Sequence, residues 1–273
     1  MRNKIVFCII FVLLVACSHV TDGKKVNNEV NKLALTWYQL AEKNRLKHQL
    51  SKALKYYEMS YEFALRKNNI RLQLFILTRQ ALVLSQQGKN TQSLVKLNAA
   101  KKLLEYEISE ATEEFNILQI PILKYLGQHE QALELHNLNK AFFKTEEQKI
   151  YSKWLYQELE SELDPQNLSS QMFNSADKDF NFLYNQYIEN KLKNIEILTY
   201  VGIQYLKILA YKQHPKLKKV SSEMLHFFSE QENPAKTAQC YKILSGYYVL
   251  IGEPEKADYY SEKAQKIENI LLN

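Results

Sequence analysis

The chain has 273 residues, and its 36 Lys and Arg against 30 Asp and Glu give a formal net charge of +6. That length supports a large buried core without disulfides or structural metal, and so small and evenly spread a positive balance does not point to nucleic acid. Six glycines and five prolines leave few breaks, and apolar residues recur at helical rather than alternating spacing, so the chain is expected to be all-α.

In chain order, Arg2 and Lys4 precede an apolar run over residues 5–15, with small Ala16 and Ser18 after it, the layout of a secretory signal. Eleven apolar residues span roughly 17 Å as helix, about half of a bilayer's hydrocarbon, so the run is too short to be a transmembrane anchor. At its end, Leu14-Val15-Ala16-Cys17 resembles the bacterial lipoprotein box. The resemblance implies that residues 1–16 are a cleaved signal peptide and that Cys17 becomes the lipidated first residue. Ser18 in place of aspartate implies sorting to the outer membrane, facing the periplasm. An ordinary secreted leader, or an apolar run that is no leader at all, is the alternative. Two or more acyl chains hold a protein durably where one does not, and residues 17–27 would form a tether reaching about 18 Å on average. Removing Arg2 and Lys4 lowers the net charge to +4. It also removes Cys8, so a lipidated Cys17 leaves Cys240 alone and no internal disulfide can form.

From residue 28 to 273 the pattern is one of recurring helices. Val30, Leu33, Trp37, Leu40 and Ala41 share one face of a first helix, and Ala53, Tyr57, Ser60, Tyr61 and Ala64 share one face of a second. Gly88, Gly127 and Gly252 each sit where one pattern stops, with a small residue five positions on at Ser93, Ala132 and Ala257. Glycine ends a helix in the left-handed conformation without a Cβ clash, and its recurrence marks internal repeats.

The stretch WYQLAEKNRLKHQLSKALKYYEMS resembles a tetratricopeptide repeat, through Trp37, Leu40 and Ala41 in one helix and Ala53, Tyr57 and Ser60 in the next. The same offsets return from Leu77 to Ala100 and from Tyr241 to Ala264. Repeat starts near 34, 74 and 113 give a step of about 40, longer than the standard repeat. The third unit is eroded, with His136 and Asn139 where an aromatic and an alanine are usual, and Pro121 is expected to kink its first helix. Further helices near 146–163, 167–188, 191–213 and 215–231 are bounded by Asp164-Pro165, His214-Pro215 and Asn233-Pro234. Together these predict a right-handed superhelical solenoid of about six helical hairpins.

The resemblance further implies that variable positions of the inner helices bind partner proteins or peptides. Carried over residue by residue, these are Tyr38, Glu42 and Arg45 in the first repeat. In the second they are Phe75, Thr78, Leu82 and Ser85, and in the last Gln239, Lys242 and Val249.

Catalytic chemistry is not expected. His129 and His136 lie seven apart on a helix, roughly 10 Å along the axis, too far to share one ion. Cys240 has no histidine at a helical neighbour position and reads as a buried inert thiol. Asp164, Asp177 and Asp179 are expected to cap helices rather than form a carboxylate pair. The basic stretch KQHPKLKK reads as a solvated helix turn, with anionic lipid or cell-wall polymer as the alternative, and the doubled tyrosines as packing between hairpins or as groove lining. No cofactor, metal, nucleic acid or small-molecule substrate is expected. The function so implied is a lipid-anchored periplasmic scaffold or adaptor in cell-envelope assembly, resembling pilotins, outer-membrane assembly lipoproteins and hydrolase adaptors. The alternative is a sensing module for peptides or signals that acts on a separate output protein.

Overall fold

A computed structural model describes residues 29–106, 109–163 and 170–272. The leader, Cys17, the tether and Asp164-Pro165 lie outside the described residues. Among the described residues there are twelve α-helices, one short 3₁₀ helix (Lys140–Phe142) and no strand. The helices form an all-α helical-repeat solenoid of successive hairpins. They are α1 (Glu29–Leu46) with α2 (Leu50–Arg66), α3 (Ile70–Gln86) with α4 (Asn90–Leu104), and α5 (Ser109–Tyr125) with α6 (His129–Asn139). Then follow α7 (Glu146–Leu163) with α8 (Ser170–Ile188), α9 (Ile195–Tyr211) with α10 (Leu217–Glu230), and α11 (Pro234–Leu250) with α12 (Pro254–Leu272). The step between hairpins is near 40 residues except across the fourth, where α7 begins at 146 and α9 at 195.

Small residues set how closely the helices approach. Ser60 Oγ donates to Ala34 O across the first hairpin and Ser93 Oγ to Ala81 O across the second, both at 2.7 Å, and Ser245 Oγ donates to Ala257 O across the last at 2.9 Å. Each hydroxyl satisfies its own polarity on a neighbouring backbone, so a polar residue can occupy a close-packed seam. Between these contacts, Tyr57, Phe115, Trp154, Tyr205, Phe227 and Phe228 are fully buried, and burying a side chain of that size contributes roughly 3 kcal/mol. The apolar residues form a series of local cores shared by neighbouring hairpins, the largest running from Ile150 to Ala257, as expected where each unit contacts mainly its neighbours.

The corners reuse one device. Eight positions among the described residues have positive φ: Gly88, Gly127 and Gly252, and also His48, Asn68, Asn190, Gln213 and Glu232. In each case the next residue's N–H reaches back five positions, as in Lys89 N to Leu84 O and His214 N to Leu209 O, both 2.9 Å. This is the closing bond of a Schellman cap, which needs a left-handed residue. A residue with a Cβ loses about 1–2 kcal/mol there, so Gln213→Gly (φ 50° in the parent) should stabilise the protein by about 0.5–1 kcal/mol, read as a higher midpoint in urea.

Some expectations change. Asp177 and Asp179 are not caps but sit within α8. Asp177 accepts from Tyr205 Oη at 2.6 Å and Lys216 Nζ at 2.9 Å, and Asp179 accepts from Trp154 Nε1 at 2.9 Å and pairs with Lys153, so the two staple α8 to α9, α10 and α7. Pro121 lies inside α5, which runs unbroken from Ser109 to Tyr125. His136 is buried against Phe143 and Tyr156, its Nε2 2.8 Å from Ser152 Oγ. Asn139 donates to Leu135 O at 2.7 Å and accepts from Asn116 at 3.3 Å. The eroded repeat thus substitutes hydrogen bonds for the usual aromatic and alanine. Cys240 is free and buried, and burial pushes its thiol up to about 12.

Candidate functional site

A seam of polar side chains links the first helices of the hairpins, the odd-numbered ones. At one end, Glu42 on α1 accepts from Arg45 Nη2 at 2.8 Å and from the Tyr57 hydroxyl, and lies 3.5 Å from Arg79 Nε on α3. Arg45 also donates to Glu196 on α9, with Nη2 to Oε1 at 2.5 Å and Nη1 to Oε2 at 3.2 Å. This fork-to-carboxylate geometry is the strongest ordinary ion-pair arrangement. Burial alone would raise the Glu42 carboxyl, but Arg45 and Arg79 outweigh it and hold the acid well below the usual carboxylate range. Burial opposes the Arg45 charge, and Glu196 and Glu42 more than restore it.

At the other end, Glu158 on α7 accepts from Lys124 Nζ on α5 at 2.6 Å and from Tyr200 Oη on α9 at 2.5 Å; its other oxygen accepts from Gln204 Nε2 at 2.8 Å. Tyr151 packs beside this group, its ring edge-on to Tyr200 with centroids 5.4 Å apart. Lys236 on α11 donates to Gln239 Oε1 at 2.8 Å. Burial, then the neighbouring charges of Lys207 and Lys124, push its ammonium down to about 8, with Glu158 opposing. An unfolded Lys236 would hold its proton to about 10.5. The unfolded state therefore binds more protons between about pH 8 and 10.5, and the charge costs stability at neutral pH that is regained as pH rises through that window. Lys236→Met should raise stability at pH 7 by about 1–3 kcal/mol and flatten the rise in melting temperature between pH 8 and 10.

The seam closes on itself. Besides Arg45–Glu196, Lys47 pairs with Glu232, and Asn233 Nδ2 donates to Leu46 O at 2.7 Å. Asn233 Oδ1 simultaneously caps α11 by accepting from Lys236 N at 3.1 Å. The end of α1 therefore rests against α9 and the corner between α10 and α11.

The residues selected from sequence fall into three groups. Glu42, Arg45 and Gln239 lie in the seam, beside Tyr38, which is buried edge-on to Tyr57 with its phenol pushed up to about 12 by burial and then by Glu42. Thr78, Leu82 and Ser85 are buried: Thr78 Oγ1 donates to Leu74 O and Ser85 Oγ to Leu82 O, both at 2.8 Å, while Leu82 joins the second core. Because α3 is enclosed by its neighbours almost all round, these three present no surface in this arrangement. Phe75 is half-buried under the Arg71 guanidinium, Lys242 is exposed and pairs with Glu268 at 2.6 Å, and Val249 is 65% exposed. Arg79, Lys124, Glu158, Glu196, Tyr200 and Lys236 were not selected from sequence. Spacing along one repeat carries no signal for a pair formed 151 positions apart.

Among the described residues no group of three or more His, Cys, Asp or Glu is placed to hold a metal ion, and no helix is long and apolar enough to cross a membrane. No protein-family model matches the chain, and neither does the sequence of any curated protein. Among solved structures, the crystal structure of BtubC (BKLC) from P. vanneervenii is similar at 14% identity and a TM-score of 0.49, over 85% of this chain and 92% of that one.

Proposed function

We propose that the chain is a lipid-anchored scaffold or adaptor at the periplasmic face of the outer membrane, with the inner face of a tetratricopeptide-like solenoid docking proteins or peptides in cell-envelope assembly. The observation that carries this reading is the seam itself. Carboxylates, guanidinium groups, ammonium groups, amides and phenols from six successive hairpins face one interior, a mixture suited to recognising extended chains. Tyrosine and arginine are the residue types that dominate such interfaces. A partner enters either at exposed positions of the inner helices α9 and α11, among them Lys207, Lys242 and Val249, or by displacing the contacts between α1 and the α10–α11 corner. The anchor rests on LVAC at residues 14–17 and on the apolar run before it.

Two measurements test this. Fractionation of Cys17→Ala should move the protein from membrane to soluble periplasm; unchanged membrane association would remove the anchor. A photo-crosslinker at Lys242 in intact envelopes should capture a defined envelope protein. Capture of small peptides alone would favour the sensing reading instead.

A further inference from the structure

We propose that the closure between α1 and the α9–α11 stretch is a charge-held clasp, which opens with the helices intact and uncovers the side chains it encloses. The movement belongs to this chain alone and is independent of what docks on it. The closure differs from the other joints of the solenoid, each of which is sealed by apolar side chains. The core of α1–α3 and that of α3–α5 are both built on α3, through Leu72, Ile76 and Val83 on one side and Leu74, Leu77 and Ala81 on the other. The cores of α3–α5 and α5–α7 are both built on α5, through Ala111, Phe115 and Ile122, then Ile120 and Leu123. Tyr151 packs against both the α5–α7 core and the core that runs from α7 to α12. Parting any of these joints exposes apolar surface to water, which opposes it.

The closure has no such seal. The α1–α3 core and the α7–α12 core have no residue in common. Among the described residues the bonds across the closure are the ion pairs Arg45–Glu196 and Lys47–Glu232 and the hydrogen bond from Asn233 Nδ2 to Leu46 O at 2.7 Å. Separating them returns charged and amide groups to water, which solvates them well. The Glu196 side chain is 38% exposed and that of Glu232 73%, so water and salt reach both acids before the clasp parts. Ion pairs so placed are held weakly and are screened by salt.

What the clasp covers is charge. The Arg45 side chain is 6% exposed and that of Glu42 17%, with Glu196 on α9 bonded to two guanidinium nitrogens. On opening, those two bonds pass to water while Arg45 keeps Glu42, 2.8 Å from its Nη2. No guanidinium is then buried without a counter-charge, the circumstance that makes a broken ion pair costly. The closed and open states differ in the exposure of Arg45 and in the contact of Lys47 with Glu232, and ionic strength sets the balance between them.

Carbodiimide treatment of the full chain reads the clasp through its own residues, because the reagent joins a carboxylate to an amine where the two touch. The yield of the Lys47–Glu232 amide, measured by mass spectrometry of the digested protein, is expected to fall about threefold between about 0.01 M and about 1 M salt, as the screening length drops from about 30 Å to about 3 Å. The Lys124–Glu158 amide is the internal reference: that pair, 2.6 Å apart, is sealed by the α5–α7 core, and its yield should hold. Over the same range, modification of Arg45 by phenylglyoxal should rise about threefold relative to exposed Arg66 on α2, with the circular dichroism of the helices unchanged. Glu196→Gln combined with Glu232→Gln should show the high-salt modification of Arg45 already in low salt. Equal loss of both amides, or no change in either, overturns the clasp. So does modification of Arg45 that rises only together with loss of helicity, which is unfolding of the first hairpin rather than its release. If the double variant does not fold, the two amide yields of the parent decide alone.

Discussion

Replacing Glu42 by leucine should cost about 3–5 kcal/mol, the typical penalty for removing one member of a buried charge network, and lower the thermal midpoint by about 10 °C for a protein of this size. The loss comes from what is left behind. Arg45 and Arg79 stay enclosed with only Glu196 to answer two guanidinium charges, and the Tyr57 hydroxyl loses its acceptor. Replacing Glu42, Arg45 and Arg79 together by leucine and methionines should recover much of the loss, because well-packed apolar groups often serve as well as a buried ionic cluster. The pH dependence gives an independent readout. The folded-state acidity of Glu42 lies below its ordinary value near 4.5, so its contribution is fully present above that pH. It is lost as the solution is acidified through the lower, folded value. Glu42→Gln should therefore melt with a shallower dependence on pH below about 4.5 than the parent, measured by circular dichroism at 222 nm.

Asn233→Asp separates the two jobs of one side chain. Aspartate can still accept from Lys236 N and cap α11, but it has no N–H for Leu46 O and sets a carboxylate against that carbonyl. The expected cost is about 1–3 kcal/mol, concentrated at the closure. Native-state hydrogen exchange should show α1 and α2 losing protection while α11 and α12 keep theirs. Asn233→Ala should lose the cap as well, costing about 1 kcal/mol more and exposing the start of α11. Equal loss of protection along the whole chain in Asn233→Asp would mean that the first hairpin is not held by this contact.

These effects mark where sequence reasoning reached and where it stopped. The hairpins were legible because small residues and left-handed corners act locally: Gly88, Gly127 and Gly252 are conformational signals in themselves. The corners at Gln213 and Glu232 were located only through the His214-Pro215 and Asn233-Pro234 that follow them, since nothing in the Gln or Glu side chains favours positive φ; there the surrounding helices impose the left-handed geometry. Asp177 and Asp179 looked like caps because Asp is common at helix starts, and only the approach of Trp154, Tyr205 and Lys216 turns them into staples. Glu42 and Arg45 were selected through the resemblance to the repeat, position by position. Their partner Glu196 was not, because helical periodicity says nothing of a helix four hairpins on. The fourth and fifth hairpins supply Glu158, Glu196 and Tyr200 yet carry few of the recurring small and aromatic residues, so half of the seam came from the part of the chain with the weakest pattern.

The contact of Arg45 with Glu196 and of Asn233 with Leu46 also orders events in time. Each hairpin is made from residues a few tens of positions apart and can form on the microsecond scale of local structure. Closure waits for the fifth hairpin to exist. During synthesis, then, the first hairpin emerges early and spends its first moments with Glu42 and Arg45 in water, their charges solvated. Only when α9 arrives do those groups dehydrate, at an entropic cost that grows slowly with the length of chain enclosed. Assembly runs from the local hairpins to the long-range closure, and the charged contact of Arg45 with Glu42 and Glu196 is the last to dry.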